Sequence, residues 1–231
     1  MNVWAPILAA ITAGCVVACA APAPPESSTP PAQAGVPADR SERRLFSPAD
    51  LGMVESADRE QWQRVEEILD NVRVADGSTV ADIAAGGGWF TVHLARRVGS
   101  TGIVYAEEIQ PTMIQAISLR VQRENLRNVK PILGTPTDPR LPPGGVDAVF
   151  IINAFQDIDT PVPLLANIRK ALNDRGLLAV VDFLPGGGGP GPDASERVAE
   201  DVIVTAARSA NLQLVARYLL PPFEFLLVFG K

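Results

Sequence analysis

The sequence predicts a three-layer α/β domain, with a mostly parallel sheet of about seven strands, helices on both faces and an antiparallel C-terminal hairpin. Three observations predict it. From about Asp58 onward, apolar runs of strand length alternate with amphipathic helical segments, the pattern of successive βαβ units. The last two apolar runs are separated by Pro221 and Pro222 with almost nothing else, too short for a parallel crossover, so they pair antiparallel. The chain has 231 residues and is 47% hydrophobic, which suits one sizeable core once roughly the first fifty residues are set aside.

The residues before that domain have a different character. Met1 to Pro25 carries no charged side chain, and the run VWAPILAAITAGCVVACA is close to the minimum length that spans a bilayer. Residues 1–19 are therefore expected to be a signal or lipid-anchor segment. The stretch VVAC, Val16 to Cys19, resembles the lipobox of bacterial lipoproteins, which implies lipidation at Cys19 and a membrane-anchored protein of the cell envelope. A second topology stays open. Arg40, Arg43 and Arg44 follow the apolar run while nothing basic precedes it, and the positive-inside bias then leaves the domain in the cytoplasm behind its anchor. Residues 20–48 are rich in Pro and Ala, cannot build a packed core, and read as an extended linker. Both cysteines, Cys15 and Cys19, precede the domain at 49–231, which leaves it without an internal disulfide or a thiolate metal site; no metal is expected.

Within the domain, SADREQWQRVEEILDNV reads as one amphipathic helix with Trp62, Val65, Ile68 and Leu69 on a stripe. STVADIAA follows as a buried strand, WFTVHLARRV as a helix, GIVYAEEI as a strand, and PTMIQAISLRVQREN as a helix with Pro111 in its first turn. VKPILGT, VDAVFIINAF and GLLAVVDF are three more strands, with the helix VPLLANIRKAL between the last two. ASERVAEDVIVTAARSAN is the final helix, before LQLVARYLL and FEFLLVFGK. The stretch GGGGPGP, Gly186 to Pro192, is either a mobile lid over an acceptor site or a tether without contacts. A net charge of −6 gives no electrostatic reason to expect a nucleic-acid partner, since duplex binding depends on Lys and Arg neutralising phosphates.

In open sheets of this kind a ligand binds beyond the carboxyl ends of the strands, where the strand order reverses. The loop to examine is therefore the one after the first strand, Asp82 to Gly88. Its glycines let backbone approach a ligand without a Cβ in the way, and Gly86 and Gly88 are the expected contacts. Glu108 ends the second strand about twenty residues later, where a carboxylate can accept from both hydroxyls of a ribose. Glu107, by strand alternation, points to the other face. Asp82 suits a ligand with a positively charged amino group and repels a pyrophosphate. Thr91 stands where a dinucleotide fingerprint has its third glycine, so an oxidoreductase on this topology is disfavoured.

With these residues in place, VADIAAGGGWFTVHLA resembles the first motif of the class I methyltransferases, VYAEEI their second-strand acidic motif and VDAVFIINAF their fourth-strand motif, and LLPPFEFLLVF matches a Pro- and aromatic-rich closing hairpin. The resemblance implies a Rossmann-like fold, S-adenosylmethionine as cofactor, and methyl transfer to a small-molecule or lipid-like acceptor. It assigns Asp82, Ala84, Gly86 and Gly88 to the methionine end of the cofactor and Glu108 to its ribose. It assigns Thr135 and Asp138 to the adenine edge and Asn153 to the transferred methyl. Two departures stand out. Ala84 replaces the loop's first glycine, and its methyl is expected to crowd the cofactor side. The segment AFQDI has Gln156 and Asp157 where similar sequences carry histidine, so Asn153 and Asp157 are the catalytic candidates and any proton acceptor at this loop is Asp157. His93, the single histidine, reads as structural, Trp89 and Phe90 as helix packing, and Asp147 as a turn or strand-initiating residue. A non-catalytic envelope lipoprotein that keeps the fold as a binding module is the alternative.

Overall fold

The computed structural model describes residues 58–186 and 188–231. The anchor expected at 1–19 with Cys19, the linker at 20–48 and Gly187 lie outside the described residues. Helices α1 (Arg59–Trp62) and α2 (Val65–Val72) lead into strand β1 (Thr79–Ile83), helix α3 (Trp89–Val98), β2 (Ile103–Glu108), α4 (Pro111–Arg123) and β3 (Val129–Leu133). Then come β4 (Val146–Ile152), a 3-10 turn at Phe155–Asp157, α5 (Pro161–Ala171), β5 (Leu172–Phe183), α6 (Glu200–Ser209), β6 (Gln213–Leu220) and β7 (Glu224–Gly230).

The seven strands form one sheet in the order β3-β2-β1-β4-β5-β7-β6, with β1 to β5 parallel and β7 antiparallel to both its neighbours. This is the predicted Rossmann-like architecture with its closing hairpin. Progression runs outward from β1 to β3 and then returns to the other side of β1 as β4. The ends of β1 and β4 therefore flank the crevice where such sheets bind ligands.

Each face buries one stripe per helix. Val65, Ile68 and Leu69 of α2, Leu94 of α3 and Ile117 of α4 pack on one face. Leu164, Leu165 and Ile168 of α5 and Ile203 and Ala207 of α6 pack on the other, against Phe225 and Phe229. Asp147 lies within β4 and ties strand starts together, accepting from Thr79 N–H at 2.7 Å and from Asn173 Nδ2 at 2.6 Å.

Two expectations need correction. The first helix is broken: Arg64 sits at φ 53°, between α1 and α2. A left-handed residue there costs about 1–2 kcal/mol. The break lets Trp62 reach Phe183, at 5.9 Å between ring centroids, and turns Gln63 fully inward, while Val65 and Ile68 still face the sheet. The stretch Gly186 to Pro192 is also no contact-free tether. Arg197 donates to the carbonyls of Leu184, Gly188, Pro190 and Pro192 at 3.0–3.1 Å, which holds the segment down and starts the last helix at Glu200 instead of Ala194.

Candidate functional site

The register Asp82↔Ala106 places Asp82 on the same face of the sheet as Glu108, two residues beyond Ala106. Asp82 is 2% exposed, and Thr91 Oγ1 donates to its Oδ2 at 2.6 Å. Burial pushes its carboxyl up to about 7, opposed by the Thr91 hydrogen bond and the charge of Arg59. The residue that spoils a dinucleotide fingerprint is thus the partner of the acid it follows. Asp82, which the sequence reading assigns to a ligand contact, is buried here with Oδ2 engaged by Thr91.

The loop after β1 is built from left-handed residues: Ala84 and Gly86 at φ 55° and Gly88 at φ 79°. Ala84 packs against the core on the α5–α6 face, opposite Asp82 and Glu108. Its methyl therefore does not crowd the cofactor side, and its cost is backbone strain. Both glutamates of β2 clamp this loop, one from each face. Gly86 N–H donates to Glu108 Oε1 at 3.1 Å, and Ala84 N–H to Glu107 Oε2 at 3.4 Å.

Glu108 is 6% exposed; its Oε2 accepts from Ile109 and Gln110 N–H at 2.8 and 3.3 Å. Burial raises its pKa while these three amides pull it down. Among the described residues its Oε1 accepts one hydrogen bond, so a lone pair remains for a ligand hydroxyl. Glu107 points the other way, as alternation requires. Burial pushes it up to about 8, and its Oε1 has no partner among the described residues. Gly134 covers that oxygen, and a Cβ there would overlap it.

Thr135 and Asp138 close a turn beyond β3: Asp138 N–H donates to Thr135 Oγ1 at 3.0 Å, and Arg140 N–H donates to Asp138 Oδ1 at 2.8 Å. Gly134 N–H donates to Glu108 O at 2.9 Å, which sets this turn beside Glu108. Asp157 is exposed on the 3-10 turn after β4, and its charge is felt by both Glu108 and Asp182. Asp182, at the end of β5, accepts from Phe183 N–H at 2.8 Å, and its Oδ2 has no partner among the described residues; burial pushes it up to about 7.

Asn153, at φ 54° just beyond β4, belongs to a network that sequence reasoning missed. Its Nδ2 donates to Glu224 Oε1 at 2.7 Å. Gln63 Nε2 donates to Glu224 Oε1 and Oε2 at 2.8 and 3.0 Å. Arg59 donates from Nε to Gln63 Oε1 at 2.9 Å and from Nη2 to Asn153 Oδ1 at 3.5 Å. The Arg59 guanidinium also lies 4.3 Å from the Trp89 ring centroid, at the first residue after the glycine loop. The available signal was a charged residue inside an apolar strand, as in VVDF and FEFLLVF; Arg59 and Gln63 in DREQWQ gave none. The His93 ring lies 4.4 Å from the Trp89 ring centroid, tilted by 54°, with Nε2 3.3 Å from Glu60 Oε1; burial lowers its pKa. It belongs to the α1–α3 contact. Two surface depressions of about 370 Å³ lie off the strand edge, one beside His93, Glu60 and Arg64 and one beside Gly99, Asn125 and Asn128.

Residues 80–176 match the family model of the methyltransferase domain. The chain is 24% identical over 122 residues to a demethylmenaquinone methyltransferase of Listeria welshimeri, covering 53% of this chain and 51% of that one. It is 29% identical over 128 residues to a ubiquinone/menaquinone biosynthesis C-methyltransferase of Citrobacter koseri, covering 53% and 48%. The chain thus spans about half the length of these curated relatives. A SAM-dependent methyltransferase of Aquifex aeolicus has the same fold, with a TM-score of 0.76 at 22% identity over 80% of this chain and 98% of that one. So does a geranyl diphosphate C-methyltransferase of Streptomyces coelicolor solved with S-adenosyl-L-homocysteine, at TM-score 0.64 and 14% identity over 82% and 86%.

Proposed function

We propose that the domain is an S-adenosylmethionine-dependent methyltransferase acting on a small-molecule or lipid-like acceptor, with a quinone-like ring as the first candidate from the curated relatives. The observation that carries this reading is the clamp at the strand crossover, where Gly86 N–H and Glu108 Oε1 meet at 3.1 Å over left-handed backbone. The residues fit a cationic nucleoside. Glu108 keeps a lone pair for a ribose hydroxyl, and buried carboxyls held up by desolvation gain from a ligand bearing positive charge.

When bound, the cofactor supplies a methyl carbon activated by its sulfonium, and the displacement sends the S–CH3 electron pair to sulfur. The protein's share is alignment and exclusion of water. Glu108 would hold the ribose, Gly86 and Gly88 would give the methionine end open backbone, and Thr135 and Asp138 would flank the adenine edge. Asn153 would face the methyl, and Asp157 is the carboxylate that would take a proton from the acceptor.

Titration calorimetry of the full chain with S-adenosylmethionine, S-adenosylhomocysteine and NAD tests the reading. Binding of the first two with NAD silent is expected; NAD binding, or no response to S-adenosylmethionine, overturns it. The closed positions of Asp82 and Glu108, 2% and 6% exposed, favour a second reading, a binding module without turnover. Cofactor binding with no labelled methyl passed to any quinone, phenol or lipid extract selects it.

For the N-terminal region we propose lipid anchoring at Cys19 ahead of the linker at 20–48, with the domain in the envelope or, on the second topology, in the cytoplasm. Labelled fatty acid retained by a Cys19→Ser variant overturns the first point, and protease accessibility in spheroplasts decides the second.

A further inference from the structure

Arg59, Gln63, Glu224 and Asn153 close a ring of hydrogen bonds with a single polarity. A guanidinium can only donate, and Glu224 accepts from both amides, so each amide between them turns its oxygen to Arg59 and its nitrogen to Glu224. The orientation of Asn153, otherwise ambiguous between oxygen and nitrogen, is settled from both sides. Glu224 is fully buried and every neighbour in the ring donates to it; burial pushes its carboxyl up to about 8, opposed by the hydrogen bonds from Asn153 and Gln63 and by the charge of Arg59. Gln63 and Asn153 stand between it and the charge of Arg59. The ring also joins three distant parts of the chain, α1, the end of β4 and the start of β7.

Its outcome is the position of one cation. Arg59, 8% exposed, lies 4.3 Å from the ring centroid of Trp89, the first residue after the glycine loop, and its charge is felt at Asp82, Glu224 and His93. The glycine loop thus starts at a buried acid, Asp82, and ends at Trp89 against a guanidinium that two hydrogen bonds tie to the Glu224 carboxyl. That arrangement complements a zwitterion. The methyl donor ends in an amino acid, with an ammonium and a carboxylate on one carbon.

We propose that Arg59 receives the α-carboxylate of the methyl donor, and that Glu224 and Gln63 are positioning residues that aim it there. This rests on the methyltransferase reading above. A planar guanidinium suits a carboxylate through paired N–H donors, and the contact gains strength away from water.

The test compares S-adenosylmethionine with its decarboxylated analogue, which keeps the sulfonium, an amine, the ribose and the adenine. Calorimetry of the full chain is expected to show a preference for the intact cofactor of tenfold or more. Arg59→Gln should abolish that preference while leaving affinity for the analogue within twofold, which also shows that the site has folded. Glu224→Gln, which puts an NH2 among donors, should reduce the preference at least threefold. The exchange variant Gln63→Glu/Glu224→Gln keeps one carboxyl and one amide at these positions and a donor facing an acceptor at every contact, with the 63–224 link reversed, and should restore it. Equal binding of the two ligands by the wild type overturns the proposal and leaves the methyltransferase reading standing. Binding of neither overturns both. An exchange variant no better than Glu224→Gln alone overturns the positioning role.

Discussion

Thr91 donates its hydroxyl to Asp82 at 2.6 Å, from the first turn of α3 back to the end of β1. The pair is buried, with Asp82 at 2% exposure and Thr91 fully covered. Thr91→Val keeps the shape and removes the donor, leaving a carboxyl oxygen unsatisfied. The expected loss is about 1–3 kcal/mol, measured by urea denaturation, and Asp82 should titrate higher in the variant. A loss under a few tenths of a kcal/mol would show that the hydrogen bond contributes nothing net.

Ala84 sets two effects against each other. Its left-handed backbone costs about 1–2 kcal/mol relative to glycine. Its methyl, partly buried against the α5–α6 core, contributes at most about 0.8 kcal/mol. Strain outweighs the methyl's burial, so Ala84→Gly is expected to stabilise the domain by up to about 1 kcal/mol in the same assay. Since the methyl faces away from Glu108, cofactor affinity should change less than twofold. A tenfold gain in affinity would put the methyl on the ligand side after all.

The α/β alternation, the closing hairpin and the opposite facing of Glu107 and Glu108 were legible because strand alternation and loop length are local properties of the sequence. The ring around Glu224 was not, because Arg59, Asn153 and Glu224 come from separated segments and meet by tertiary packing alone. The break at Arg64 was hidden for a related reason: VEEILDNV carries a strong helical stripe, and the pull of Gln63 toward Glu224 interrupts it from outside. Ala84 was recognised as unusual, but the direction of its methyl depends on the left-handed turn that only the fold reveals.

Burial raises Asp82 and Asp182 to about 7 and Glu107 to about 8. A raised acid binds its proton more tightly when folded, so its contribution is fully present below the unfolded pKa, near 4, and is lost as pH rises through the folded value. Stability should therefore fall between about pH 5 and 8. Glu107→Gln removes one titrating group and keeps its shape, so it should flatten the decline and stabilise the domain at pH 8 by on the order of 1–3 kcal/mol. Thermal unfolding at several pH values checks this; a wild-type midpoint that rises over the range contradicts it.

Arg197 collects the carbonyls of Leu184, Gly188, Pro190 and Pro192 on three nitrogens and lies 5.2 Å from the Phe183 ring centroid. The spread of these acceptors is what makes guanidinium necessary. A lysine offers three donors from one point and cannot span carbonyls that approach from separate directions. Arg197→Lys keeps the charge, so a merely electrostatic role predicts no change, whereas a strapping role predicts a loosened segment. Amide exchange at Gly186, Gly188, Gly189 and Gly191 should then rise by tenfold or more while the strands of the sheet stay protected, because Gly189 and Gly191 pack on Phe223 and Phe183 at the sheet's rim and not at its centre. If methyl acceptors enter beneath this segment, the same variant raises the KM for acceptor and leaves cofactor affinity unchanged. Equal protection in both proteins would show that the Phe183 and Phe223 contacts alone hold it.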